Sequence, residues 1–223
     1  MNHPISIAID GPAAAGKSTV ARRLAAELGF LYVDTGALYR AIGYAVLTAK
    51  QDPADAAAVE ALLPSLQLSI RYVDGVQRIF LNGQDVSEEI RLPEMSMAAS
   101  RVSAIPAVRA FLLDLQRDFA RRESVVMDGR DIGTVVLPDA AVKFFLTASP
   151  EERAWRRMRE FEQKGQTVDY GALLSEIKQR DYNDSHRPIA PLVQAPDALL
   201  VDNTHLTLEE TVRTMKSYAE EKL

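Results

Sequence analysis

One octapeptide near the N-terminus constrains this chain more than any other feature. Gly11-Pro12-Ala13-Ala14-Ala15-Gly16-Lys17-Ser18 has the spacing G-x-x-x-x-G-K-[ST] and follows the apolar run Ile5-Ser6-Ile7-Ala8-Ile9. From Thr19 the pattern changes to helical spacing, with Val20, Leu24 and Leu28 on one face. A strand, a glycine-bounded loop and a helix in that order form an anion cradle. Successive backbone N–H groups and the helix N-terminus point at phosphate oxygens. Lys17 adds a point charge toward the β/γ-phosphates, and the Ser18 hydroxyl can ligand Mg²⁺. The bland alternative is a glycine-containing turn with a solvated lysine, which would not require the flanking strand and helix.

The remaining chain extends this unit into a sheet. Leu31-Tyr32-Val33, Val125-Val126-Met127, Val142 to Leu146 and Leu199-Leu200-Val201 are short apolar runs with no polar face, as in buried parallel strands. Pro106 to Phe119 predicts a helix with Val108, Phe111, Leu112, Leu115 and Phe119 on its apolar stripe and Arg109 off it. Ser149-Pro150-Glu151-Glu152 and Thr207-Leu208-Glu209-Glu210 predict capping boxes. Alternating strands and helices give an α/β doubly wound P-loop sheet of about five parallel strands. Between Leu66 and Val86, strand-like alternation with Asp74-Gly75 and Asn82-Gly83 turns departs from that rhythm and predicts a small antiparallel insert. With 47% hydrophobic residues the 223-residue chain can pack a core, and without cysteine it holds neither disulfides nor a Cys-ligated zinc. No leader-like start and no apolar run long enough to span a bilayer are evident, so the cytoplasm is the expected compartment.

Charged residues gather at predicted strand ends, where open α/β sheets bind ligands. Asp34-Thr35-Gly36-Ala37-Leu38-Tyr39-Arg40 follows the second strand, and Asp128-Gly129-Arg130-Asp131 ends another. Asp128 can order Mg²⁺ waters and Arg130 can bind phosphate bidentately; alternatively Asp128 caps the next helix and pairs with the arginine. Arg153, Arg156 and Arg157 share a helical face, and Arg180 to Arg187 follow. Eight basic and eight acidic residues between 151 and 187 can form a solvated, salt-bridged face. Yet phosphoryl transfer between two nucleotides gathers several anionic oxygens and requires fixed cations under a mobile cover, which arginines on a helical hairpin would provide. His3, His186 and His205 have no metal-ligand spacing.

Taken together these residues resemble the bacterial cytidylate kinases, relatives of adenylate kinase. The resemblance runs through nearly the whole chain. It is carried by Ile7-Ala8-Ile9-Asp10-Gly11-Pro12, Asp34-Thr35-Gly36, Asp128 to Val136, Arg180-Asp181 and Ala190-Pro191-Leu192. It implies one P-loop unit over 1–223, an NMP-binding lobe over 36–105 with its insert near 66–86, and a short helical lid over 150–187. It also implies transfer of the ATP γ-phosphoryl group to CMP or dCMP with Mg²⁺. Gly11, Pro12, Ala13, Ala14, Ala15, Gly16, Lys17, Ser18 and Thr19 match the ATP-binding positions. Thr35, Arg40, Ser100, Arg109, Arg130, Asp131, Arg180, Asp184 and Arg187 match those that bind CMP. Lys17, Arg130, Arg153, Arg157 and Arg187 carry the catalytic and lid assignments, and Ser18 and Asp128 the metal. Two positions depart from many relatives: Ala14 stands where glycine is common, which strains the loop if φ is positive there, and Ser18 where some carry glycine.

Cytosine chemistry agrees with the implied base-reading pair, because its N4 donor suits Asp131 and its O2/N3 edge suits Arg109. Uracil presents an acceptor at position 4, so CMP is the expected preference over UMP. The rival readings are a P-loop kinase for UMP, AMP or shikimate, a GTPase or nucleotide switch, and a nucleic-acid-binding module. The chain has no N-K-x-D tetrapeptide, and its net charge of -5 opposes the last. The expected partners are therefore small nucleotides, with no nucleic acid or membrane, and a monomer is the implied state.

Overall fold

The computed structural model describes residues 3–163 and 165–223. Met1, Asn2 and Lys164, the last among the charges counted above, lie outside the described residues. The elements are β1 (Ser6–Asp10), α1 (Lys17–Leu28), β2 (Leu31–Asp34), α2 (Thr35–Thr48), α3 (Ala56–Leu62), β3 (Leu68–Val73), β4 (Val76–Leu81) and β5 (Gln84–Asp85), then α4 (Glu94–Val102), α5 (Pro106–Arg122), β6 (Val125–Gly129), β7 (Val142–Thr147), α6 (Pro150–Gln163), α7 (Tyr170–His186), β8 (Leu199–Asp202) and α8 (Leu208–Lys222). They fall into two units, one comprising Met1–Tyr32 with Glu123–Leu223 and the other Val33–Arg122.

The first unit is built on a five-stranded sheet in the order β2-β6-β1-β7-β8. Strand β1 runs parallel to both neighbours, with Ile9 opposite Asp128 and Ala8 opposite Lys143, and β7 runs parallel to β8. Ile7, Ala8 and Ile9 are fully buried, as the absence of a polar face in β1 requires. Ile7 and Ile9 pack with Val20, Leu24, Phe144, Leu146, Val212 and Met215 into one core. Gly11 closes that packing at the root of the loop: a Cβ there would stand 1.9 Å from the Leu146 carbonyl oxygen. The final helix starts as expected, with a reciprocal capping box between Thr207 and Glu210. At α6, Ser149 Oγ accepts from the Glu152 amide at 3.2 Å.

In the second unit, β3, β4 and β5 form an antiparallel sheet whose register places Leu68 opposite Leu81. Both predicted turns have two consecutive positive φ values, 52° and 75° at Asp74-Gly75 and 50° and 83° at Asn82-Gly83. That is the type I′ geometry whose twist matches paired strands. Helix α5 differs from the expectation on one point. Its buried face is Val108, Arg109, Leu112 and Gln116, so Arg109 lies inside rather than off the stripe. Periodicity alone assigns charged residues outward and cannot anticipate a partner that draws one in. Among the described residues no helix is long and apolar enough to cross a membrane.

Candidate active site

The loop between β1 and α1 reverses its backbone through two left-handed residues, Ala14 at φ 57° and Gly16 at φ 85°. Alanine in this region costs about 1–2 kcal/mol relative to its right-handed conformation. The strain anticipated at Ala14 is therefore present. Three of the loop carbonyls are taken by side chains. Lys17 Nζ donates to Pro12 O at 2.7 Å, Arg153 Nη1 to Ala13 O at 2.9 Å and Asn203 Nδ2 to Ala15 O at 3.1 Å.

Lys17 is 5% exposed. Burial pushes its pKa well below the usual lysine value, and the Arg130 and Arg180 guanidiniums push the same way against Asp128 and Asp184. A phosphate beside Lys17 would reverse that imbalance. Beside it, Ser18 Oγ donates to Asp128 Oδ2 at 3.0 Å, and the Tyr32 hydroxyl donates to Oδ1 at 2.9 Å. Asp128 thus faces the loop rather than capping a helix. Its carboxylate and the Ser18 hydroxyl are hard oxygen donors, two in number, next to a phosphate cradle. That set fits Mg²⁺, which takes one or two protein oxygens and completes its shell with substrate phosphates and water.

Arg130, after β6, and Arg187, at the end of α7, are fixed by acids of the same unit. Arg130 Nε donates to Asp184 Oδ2 at 2.8 Å, and Arg187 Nη2 to Asp131 Oδ1 at 3.3 Å. Burial alone would raise the Asp184 pKa, but Arg130, Arg180 and Arg187 outweigh it and hold the carboxyl below its ordinary value. Lys17, Asp128, Arg130, Arg180 and Asp184 therefore share one electrostatic neighbourhood. Arg153 is 3% exposed and paired bidentately with Asp181, at 2.6 and 3.1 Å, besides reaching the Ala148 and Ala13 carbonyls. Arg157 lies over the Phe161 ring instead, 5.3 Å from its centroid.

In the second unit Arg40 Nη2 bonds Asp34 Oδ2 at 2.7 Å. Among the described residues its buried Nε has no hydrogen-bond partner. Thr35 opens α2 and is buried. Arg109 donates to Ser103 O at 3.3 Å and lies 5.6 Å from the Tyr39 ring centroid. Ser100 stands on α4, where its carbonyl accepts from Ser103 Oγ.

Five contributors were not singled out as site residues from the sequence: Asp10, Tyr32, Arg156, Asp181 and Asn203. Both oxygens of Asp10 accept backbone amides, Ile132 N at 2.8 Å and Gly133 N at 2.7 Å, which fixes the turn after Asp131. A carboxylate closing the strand that feeds the phosphate loop is a legible signal for Asp10. No local pattern marks Asn203, whose partner is Ala15.

A glycine-bounded loop at the end of the central strand of a mostly parallel sheet, with buried cations around it, defines the P-loop α/β fold. The solved shikimate kinase from Bacteroides thetaiotaomicron has the same fold, at a TM-score of 0.50 and 15% identity, covering 97% of this chain and 98% of that one. Residues 7–221 match the family model for cytidylate kinase. A cytidylate kinase from Caldicellulosiruptor bescii is 53% identical over 209 residues, 94% of this chain and 92% of that protein. Another, from Mycobacterium leprae, is also 53% identical over 209 residues, 93% of this chain and 92% of that protein. The chain belongs to the cytidylate kinase family.

Proposed function

We propose that this chain transfers the γ-phosphoryl group of ATP to CMP or dCMP, giving ADP and CDP or dCDP. The observation that carries the reading is the cluster of Lys17, Arg130, Arg180, Asp128 and Asp184 around the phosphate loop of a chain in this family. The acceptor oxygen is already ionised, so no general base is required; positioning and electrostatics supply the rate. Gly11 to Thr19 bind ATP, and Lys17 neutralises its β/γ oxygens. Ser18 and Asp128 would hold Mg²⁺, directly or through water, and the ion would neutralise charge on the same phosphates.

The remaining roles divide between the units. In the first, Arg130 and Arg187 bind the acceptor phosphate, Asp131 accepts from cytosine N4, and Arg180 with Asp184 contacts the ribose. Arg153 and Arg157 belong to a lid over 150–187. In the second, whose 36–105 segment is assigned as the NMP-binding lobe, Arg40 and Thr35 serve the sugar-phosphate and Ser100 and Arg109 the base. The buried Nε of Arg40 is a donor suited to a phosphate oxygen. The protein acts as a cytoplasmic monomer on free nucleotides.

The test is ADP formation from MgATP with CMP, dCMP, UMP, AMP, GMP, shikimate or no acceptor. Turnover with CMP and dCMP and weak turnover with UMP is the expected result. Preference for another acceptor, or ATP hydrolysis indifferent to acceptor, would sink the assignment and leave the fold standing.

A further inference from the structure

A trans peptide points its C=O and the following N–H in opposite directions, so whatever holds a loop carbonyl also aims the next amide. On this chain the Ala13 carbonyl is held by Arg153 and the Ala15 carbonyl by Asn203. These contacts aim the amides of Ala14 and Gly16, and they stand on either side of the one non-glycine residue of the loop in the left-handed region.

Asn203 is itself locked. It is 4% exposed, its Oδ1 accepts from Arg156 Nη1 at 3.0 Å, and its carbonyl accepts from Arg156 Nη2 at 2.7 Å. A guanidinium only donates, so Arg156 fixes which end of the amide faces it and leaves Nδ2 for Ala15 O. Arg156 is in turn held by Glu152, Nε to Oε1 at 3.0 Å. The end of β8 and helix α6 thereby brace the loop through one amide group.

We infer that Asn203, oriented by Arg156, is a positioning residue for ATP: it holds the phosphate loop in the donor-inward conformation that Ala14 by itself disfavours. This rests on the reading that the loop binds ATP. Asn203 acts on the loop backbone rather than on a reacting atom. Its effect is on the affinity for ATP, through the direction of the loop amides.

The experiment is calorimetric titration of the full chain with MgATP and, separately, CMP. Asn203→Ala is expected to weaken ATP about tenfold, the loss of one hydrogen bond that orders a binding loop, and to change CMP affinity by less than about twofold. Asn203→Asp keeps an acceptor for Arg156 but sets an oxygen against Ala15 O, and should weaken ATP at least as much. It carries the test alone if the alanine variant does not fold. Adding Ala14→Gly to Asn203→Ala should bring ATP affinity back to within about threefold of wild type, because glycine adopts positive φ without a brace. A lowered melting temperature with unchanged ATP affinity would overturn the inference. So would equal weakening of ATP and CMP, or a double variant as weak as Asn203→Ala. Wild type that binds ATP yet leaves CMP unphosphorylated would sink the proposed function alone. CMP phosphorylation with full ATP affinity in the Asn203 variants would sink only this inference.

Discussion

Asp10 is 4% exposed, and burial pushes its pKa up to about 6 despite the two backbone amides it accepts and the nearby Lys17; Asp131 adds to the rise. A carboxyl whose folded pKa is raised stabilises the fold fully below its unfolded value of 3.8 and loses that contribution as pH rises through about 6. Wild type should therefore gain about 1.4 kcal/mol over Asp10→Asn between about pH 7.5 and about pH 5, measured by urea unfolding of both. The difference between proteins removes Asp184, whose lowered pKa acts in the opposite sense and at lower pH. A difference that does not vary with pH would refute the raised value. For catalysis, Lys17→Ala should lower kcat/KM at least about a hundredfold, because it removes the buried cation that the loop itself carries. Asp131→Ala should bring the CMP/UMP ratio of kcat/KM down by about ten- to hundredfold. The structure adds a second consequence: Arg187 loses an ion-pair partner, so turnover with every acceptor should fall as well. An unchanged ratio would remove Asp131 from base reading. Lys17 was legible because the motif that marks it is eight consecutive residues, whereas Asn203 acts on a loop carbonyl 188 residues away.

The β4–β5 turn isolates backbone cost from packing. A Cβ added at Gly83 would have nothing within 4 Å, yet φ there is 83°. Gly83→Ala is therefore expected to destabilise by about 1 kcal/mol through conformation alone, lowering the melting temperature by roughly 2–4 °C. An unchanged melting temperature would mean that the turn relaxes to another type. The hairpin was readable because Asn82-Gly83 and Asp74-Gly75 state their geometry in two residues. Helix α5 was readable in position but not in orientation. Its stripe of Val108, Phe111 and Leu112 is apolar, but burial of Arg109 and Gln116 turns the helix toward polar company that periodicity does not record. At α6 the shared face of Arg153 and Arg156 was legible, and its use was not. Both arginines brace the phosphate loop, one directly and one through Asn203.

Over the whole molecule, stability is distributed unevenly in a way that bears on turnover. Helix α1 buries Val20, Ala21, Leu24 and Ala25 against the sheet, whereas α6 buries only Arg153 and Ala154, and α7 Leu173, Ile177 and Asp184. Helices with so little apolar burial open at low free energy. Amide exchange should accordingly be faster over 150–187 than over α1, and should slow there when ATP and CMP are both bound. Exchange over 150–187 that ignores both nucleotides would refute the lid. The sequence by itself determined the place of the phosphate loop, the alternation of strands and helices, the two tight turns and the caps, since each is marked by residues a few positions apart. Tertiary structure alone decided which carboxylate holds which arginine, that Asp10 ties down the turn after Asp131, and that Asn203 reaches Ala15. Those bonds join residues far apart in the chain, so only the packing of strands and helices sets their distances, and burial makes each partner obligatory.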